Sequence, residues 1–336
     1  DFDLPEGKVV LDEHGEPSAI VQSRKDPGIR EAYRIVEDMM LITNETVATH
    51  LKRHAAPGVF RVHGKPDAER ISMFCEVAKS FGYELDEESA SNPKQIARFL
   101  RRIDGTDEAP LLRYLLLRAM QQAIYDTDPS VGHFALAAKD YLHFTSPIRR
   151  YPDLLVHRIL RSMIRGESID TASLLPRLQR FSAQSSESER RAMLVERDVT
   201  DVYRAIYMQD HIGEEYDGRI SGFAPFGIYI QVDDPYVSVL LPFEQLDDTF
   251  EPDNLGIRLV GARTSKIFTM NDPVRVRIED VSVQGRDIVG SLLDHHAAKA
   301  PTEVRRRQRE APKKRRKESR RRQDQPRKRS RRPRKR

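Results

Sequence analysis

Residues 143–158, HFTSPIRRYPDLLVHR, crowd three arginines and two histidines among two prolines, two hydroxyl residues and a tyrosine. Pro147 and Pro152 fix φ and push the residues before them out of helical geometry. A helix is predicted to start near Pro152 and Asp153, with an acid in its first turn and Leu154, Leu155, Ile159 and Leu160 as its buried stripe. Arg149 and Arg150 then sit at a stiff junction just ahead of a helix N-terminus, a place suited to receiving an anion. Pairing of the same arginines with nearby carboxylates is the alternative, and this stretch alone leaves both open.

The loop needs a frame. Residues 8–11 and 18–22 read as a short hairpin around His14-Gly15, stopped by Asp26-Pro27-Gly28. Residues 29–53 show helical periodicity through Ala32, Ile35, Val36, Met39, Met40 and Val47. Pro57-Gly58 breaks that helix before the extended VFRVH, and further helices are predicted at about 67–82, 93–103, 109–126, 153–165 and 172–210. The last carries Val195, Val199, Val202 and Ile206 on its apolar side. From about residue 214 the segments YDGRISGF, GIYIQVD, VSVLLPF, PVRVRIEDVS and DIVGSLL alternate with period two between Gly, Pro and Asp punctuation. Five short strands with a longer connection between the third and fourth predict a Greek-key barrel of the OB type. An immunoglobulin-like sandwich would need about seven strands.

Charge divides the 336 residues sharply. The segment from residue 301 onward carries +16, so the first 300 residues carry −11 within a whole-chain charge of +5. So basic a tail has almost no apolar residues to offset ordering entropy and is expected to be disordered. Its arginine runs point to a polyanion, RNA or DNA, with a nuclear-import signal or a solubility tail as the alternatives. The single cysteine, Cys75, excludes an internal disulfide and a cysteine-based zinc site, and suits a reducing cytoplasm. No apolar run approaches the ~18 residues of a membrane span, and no signal peptide is legible. The opening DFDLPEGKVVLDEHGEPSAI alternates like strands and has no initiator methionine, so a cut through a domain, and hence a fragment, is expected.

Five segments, RIVEDMMLITNETVA (34–48), VFRVHGKPD (59–67), LLLRAMQQAIYD (115–126), GHFALAAKDYLHFTSPIRRYPDLLVHR (132–158) and ERRAMLVERDVTDVY (189–203), resemble consecutive parts of the catalytic domain of the ribonuclease II/ribonuclease R family. DFDLPEG resembles the strand entering the second half of that domain. The ribonuclease R branch is the nearer, because a barrel and then a Lys/Arg-rich tail follow in its order. The resemblance implies an α+β fold in three parts. These are the mostly helical C-terminal part of the catalytic domain over 1–212, an OB-fold RNA-binding barrel of the ribosomal-protein S-one type over 213–296, and a disordered tail over 297–336. It implies a processive, hydrolytic 3′→5′ exoribonuclease that releases 5′-mononucleotides from single-stranded RNA and from structured RNA with a 3′ overhang. A cytoplasmic, monomeric protein without membrane contact is expected, with RNA as partner and the ribosome as a further candidate.

In that family aspartates hold magnesium at the bottom of a narrow channel. They correspond to residues upstream of Asp1, so Mg2+ is expected to be bound outside this chain and no metal site within it. Asp233-Asp234 and Asp247-Asp248 are adjacent pairs but fall in barrel loops, and Asp1 and Asp3 lack companions. His63, His133, His143 and His157 show no i,i+4 zinc pattern.

What the resemblance assigns is the opposite wall. Arg149 matches an arginine that holds the phosphate near the scissile bond, a role suited to a planar, permanently charged, bidentate guanidinium. Glu196 matches a glutamate near the 3′-terminal nucleotide, with a solvated ion-pair face as its alternative. Glu189, two turns earlier, is expected to be an ion-pair residue. Further RNA contacts are expected from Arg150, Tyr151, His143, Phe144, Ser146, Phe60 and His63, Arg150 and Tyr151 having an exposed ion pair and helix packing as alternatives. Gly7 and Pro57 fall where ribonuclease II has aromatic residues, which leaves the base clamp unassigned. On the barrel, GRISGFAPFGIYIQVDD places Phe223, Phe226 and Tyr229 on the expected binding face near Arg219 and Lys266, with core packing as the alternative for the aromatics. A non-catalytic RNA-binding protein built on a remnant of the nuclease domain is the rival to the enzyme.

Overall fold

The structure, a computed structural model, describes residues 7–22 and 27–296. The expectations for Asp1, Asp3 and the basic tail lie outside the described residues.

The chain opens with an antiparallel hairpin, β1 (Gly7–Leu11) and β2 (Pro17–Gln22). Asp12 closes its turn by accepting the His14 and Glu16 N–H groups, and Gly15 supplies the positive φ. A long helix, α1 (Pro27–Arg53), ends with His50, Lys52 and Arg53 against its negative pole. Strand β3 (Phe60–Val62) leads into four helices, α2 (Ala68–Ser80), α3 (Glu87–Ala90), α4 (Pro93–Ile103) and α5 (Ala109–Ala119). Asp67, Asp86 and Asn92 cap the first three by accepting backbone N–H groups. Their apolar stripes meet in a core around Phe74, Ile103, Leu112 and Leu116.

The helix predicted over 109–126 stops at Ala119. Ile124–Asp126 is instead strand β4, paired antiparallel with β3. Two long elements follow the loop, α6 (Tyr151–Ile164) and α7 (Thr171–Gln209). On α6 the buried positions are Pro152, Asp153, Leu155, Val156 and Ile159, which share Leu155 and Ile159 with the predicted stripe. On α1 and α7 only part of the expected apolar side reaches a core: Val36, Met39, Val195 and Val199 stand exposed, Val47 packs against a core, Val202 and Ile206 are half-buried, and full burial of apolar residues on α7 falls on Leu178, Ala205 and Met208.

β5 (Glu215–Ala224), β6 (Gly227–Val232) and β7 (Ser238–Pro242) begin the barrel. The long connection then folds into its own three-stranded sheet, β8 (Phe250–Pro252), β9 (Arg258–Gly261) and β10 (Ile267–Thr269), which the sequence reading missed. β11 (Pro273–Ser282) and β12 (Asp287–His295) close a five-stranded barrel in the order β11-β12-β7-β6-β5. Ile228, Ile230, Val232, Val239 and Leu241 fill it by strict alternation. Barrel and helical lobe are joined by packing: Ile257 and Met270 enter the core of α2–α5, and Asn271 Nδ2 donates to the Asp107 carbonyl at 2.7 Å. No helix among the described residues is long and apolar enough to cross a membrane.

Candidate nucleic-acid interface

Two features of α6 hold the 143–150 loop. Asp153, in the helix's first turn and fully buried, accepts the Ser146 N–H at 2.8 Å and an Arg150 Nη2–H at 2.9 Å on the same oxygen. One turn later His157 donates its Nε2–H to the Phe144 carbonyl at 2.8 Å and stacks on the Phe144 ring at 3.9 Å, 3° from parallel. The Asn44 side-chain oxygen on α1 accepts the Phe144 N–H. With these ends fixed, the Ser146 carbonyl accepts the Arg150 N–H, and Ser146 Oγ accepts Arg149 Nε–H at 3.0 Å. Arg149 is exposed and has no carboxylate partner among the described residues.

Behind the loop lies a chain of rings: His63 to His133 at 5.2 Å, His133 to Tyr141 at 5.2 Å, Tyr141 to His143 at 5.8 Å and His143 to Tyr125 at 5.6 Å. The Tyr125 hydroxyl and His143 Nδ1 share a hydrogen bond of 2.9 Å. Burial, reinforced by Arg150 and Arg61, pulls His143 down to about 3, and burial with the neighbouring His63 pulls His133 down to about 4. His63 is lowered too, chiefly by burial, and burial pushes the Tyr125 phenol up to about 12. All three imidazoles are therefore neutral at physiological pH. Arg61 lies over the Tyr125 ring and grips Glu189 on α7 bidentately, at 2.6 and 3.1 Å. Lys52 on α1 pairs with Asp140.

Several expected RNA contacts are corrected by this packing. Phe60 is a core residue, 2 % exposed, because the alternation of β3 turns it and Val62 inward. His63 is buried against the rings of His133 and Phe134. Arg150 is neither free nor in a solvent-exposed pair: its partner Asp153 is sealed from water. His143 is half-buried, uncharged and bonded to Tyr125, and Phe144 spends one ring face on His157. Tyr151 packs edge-on against Phe181 and keeps an exposed edge. Glu189 is the ion-pair residue expected of it. Glu196 is exposed, has no cation partner among the described residues, and lines a cavity with Lys8, Val9, Val199 and Tyr203. No contact brings it to Arg149.

On the barrel the three expected aromatics divide between the outer side and the packing. Ile228 and Ile230 point inward, so Tyr229 stands on the outer side, edge-on to the exposed Phe226 at 6.3 Å. Arg219, across the register from Gln231, is exposed and donates to the Asn271 carbonyl. Phe223 is half-buried where barrel and helical lobe meet. Lys266, in the β9–β10 turn, holds its ammonium 4.8 Å from the Phe268 ring centre. Residues the sequence reading passed over include Asp153, Arg61, Tyr125, Tyr141 and Asn44. Only Asp153 had a local signal, its i,i+3 spacing from Arg150.

A divalent metal needs several convergent carboxylates. Among the described residues no group of three or more His, Cys, Asp or Glu side chains could hold one. Asp153 at the loop, Glu189 behind it and Asp140 just before it are each engaged by a cation. The residues present do not fit a magnesium site.

A pinned, arginine-presenting loop in a helical lobe is thus followed by a closed five-stranded barrel with outward aromatic residues. The family models agree: residues 1–166 match the RNB domain and residues 209–293 the S1 RNA binding domain. Ribonuclease R of Aquifex aeolicus (strain VF5) is 41% identical over 295 residues, covering 88% of this chain and 41% of the relative. Ribonuclease R of Escherichia coli (strain K12) is 32% identical over 319 residues, 92% of this chain and 38% of the relative. The apo form of Mycoplasma genitalium RNase R superposes with a TM-score of 0.80 at 26% identity, over 87% of this chain and 46% of that one. Its complex with ribose methylated single-stranded RNA superposes equally well, at 25% identity and the same coverage. The chain belongs to the ribonuclease R family. It spans about two fifths of the length of these curated relatives.

Proposed function

We propose that this chain acts within a 3′→5′ exoribonuclease of the ribonuclease R type, which hydrolyses single-stranded RNA, and structured RNA entered from a 3′ overhang, processively to 5′-mononucleotides. The observation that carries the reading is Arg149: an exposed guanidinium without a carboxylate partner among the described residues, on a loop whose backbone is pinned at Phe144 and Ser146. Such a group binds two oxygens of one phosphate in a fixed register and stabilises charge that develops on it. Glu196 is assigned to the terminal nucleotide by the family likeness alone. Tyr229 and Phe226 stack bases upstream, where each stack contributes about 1–3 kcal/mol whatever the base. Magnesium, expected for the hydrolytic step, would be held by polypeptide other than the described residues, and no step through it is derived.

The test joins the chain to the upstream part of a ribonuclease R and measures mononucleotide release from a single-stranded oligoribonucleotide. Arg149→Ala should lower turnover by roughly 10²–10³, the usual cost of removing one preorganised charge-stabilising donor. Turnover within a few-fold of the parent defeats the assignment. The outward Phe226–Tyr229 pair also supports a second reading, RNA binding without hydrolysis, for which the joined protein would bind RNA and release no nucleotide.

A further inference from the structure

The geometry points to Asp153 as the residue that positions Arg149: a buried carboxylate that sets the register of the phosphate contact without touching RNA. This inference rests on the proposed role of Arg149 and deepens it.

Three observations carry it. First, Asp153 is fully buried although it lies in the first turn of a helix, two residues from the exposed Tyr151. Burying a charge is costly unless it is paired and hydrogen-bonded, so its place needs a compensating structure. Second, that structure is the loop itself. The Oδ1 atom accepts from the Ser146 backbone and from the Arg150 guanidinium, so one oxygen holds both the start of the Ser146–Arg150 turn and the side chain at its end. Third, the Ser146 thus fixed orients Arg149: its hydroxyl accepts Arg149 Nε–H, while the two terminal nitrogens of this exposed residue have no hydrogen-bond partner among the described residues. The route is short and continuous, from Asp153 through Ser146 to Arg149.

Arg150 has a part in the same device. Being locked onto Asp153, it is withdrawn from competition for the phosphate, so two adjacent arginines present a single outward guanidinium. A loop with both cations free would hold a phosphodiester in either of two registers. The buried acid removes one.

The experiment uses the full 336-residue chain and a short single-stranded oligoribonucleotide, with affinity read by fluorescence anisotropy over a series of KCl concentrations. Four proteins are compared: parent, Arg149→Ala, Asp153→Asn and the double variant. Arg149→Ala should weaken binding several-fold and reduce the salt slope by about 0.7, the value of one phosphate contact on a single strand. Asp153→Asn loosens Arg149 and frees Arg150 together, so the readout is their coupling: Arg149→Ala should cost several-fold in affinity and about 0.7 of slope in the parent, and much less of both in the Asp153→Asn background. With a merely structural acid, Arg149→Ala would cost the same in both backgrounds; that result overturns the inference while sparing the role of Arg149. An unchanged affinity for Arg149→Ala removes the phosphate contact, and this inference falls with it. Should Asp153→Asn fail to fold, Ser146→Ala decides, because it removes the hydroxyl–guanidinium link and keeps the buried ion pair. It should reproduce part of the loss in the parent and none in Arg149→Ala, and an additive effect refutes the route.

Discussion

The ring chain behind the loop makes the fold sensitive to mild acid, and the size of the effect follows from the geometry. His143 and His133 ionise in the folded protein only near pH 3 and pH 4, whereas in an unfolded chain they do so near 6.5. The unfolded state therefore takes up protons first as pH falls, and stability is lost from about pH 6.5 down to the folded values. At pH 5 each histidine lies about 1.5 pH units below its unfolded value and is still neutral when folded. At 1.36 kcal/mol per unit this costs about 2 kcal/mol apiece, or roughly 4 kcal/mol for the two. His63 acts in the same direction. The carboxylates held low by hydrogen bonds, such as Asp86, Asp128 and Asp170, begin to act only near their unfolded value of ~3.9, below this window. Urea denaturation at pH 7 and pH 5 should therefore show a loss of about 4 kcal/mol in the parent. His143→Gln should be less stable than the parent at pH 7, yet lose only about 2 kcal/mol over the same interval. Equal pH dependence of the two proteins would show that His143 is not held neutral by its surroundings.

Phe226→Ala and Tyr229→Ala should each weaken single-stranded RNA binding by about 1–3 kcal/mol in a filter-binding or anisotropy titration, with thermal stability unchanged, because both rings lie on the outer side of the barrel. Phe60→Ala should do the reverse: a core cavity costing about 3–5 kcal/mol in denaturant unfolding, with the RNA affinity of the folded fraction unaltered. Gly227→Ala should destabilise the barrel by about 1–3 kcal/mol, since its Cβ would stand 2.5 Å from the Leu241 carbonyl oxygen on the neighbouring strand; a melting temperature equal to the parent's would show that the β6–β7 pairing yields more easily than this contact implies.

Period and punctuation carried much of this architecture. The alternation of GIYIQV put Ile228 and Ile230 on the face opposite Tyr229, and the closed barrel turns the isoleucines inward. What stayed hidden depended on partners distant in sequence. Ile124–Asp126 follows a good helical pattern, and only its pairing with Phe60–Val62 makes it a strand. The β8–β10 segments are three or four residues long, too short to display a period. At the candidate site the motif was legible but its burial was not. Phe60 and His63 belong to the same recognisable stretch as Arg61, and the direction each side chain takes is set by β4 and by the His133 loop. The apolar positions of α1 and α7 show the converse limit. Periodicity tells which residues share a face, but it does not tell whether anything covers that face.

The density of charge in the 143–158 stretch suggests a strongly basic surface, and the structure shows why that inference fails. Arg150 is neutralised by Asp153 and, behind the loop, Arg61 by Glu189, while His143 and His133 stay uncharged, so much of the charge around the loop is spent inside the fold. At the loop tip a single guanidinium is left outward. One such contact is weak and sharply directional: it contributes a salt slope of only about 0.7 and fixes one phosphate rather than gathering a strand. Under the proposed function this is the useful arrangement. A wall that held RNA through many cations would resist each advance of the substrate, whereas one oriented cation defines a register and releases it. Affinity must then come mainly from elsewhere, and the aromatic face of the barrel, whose stacking is indifferent to base identity, is the described surface able to supply it.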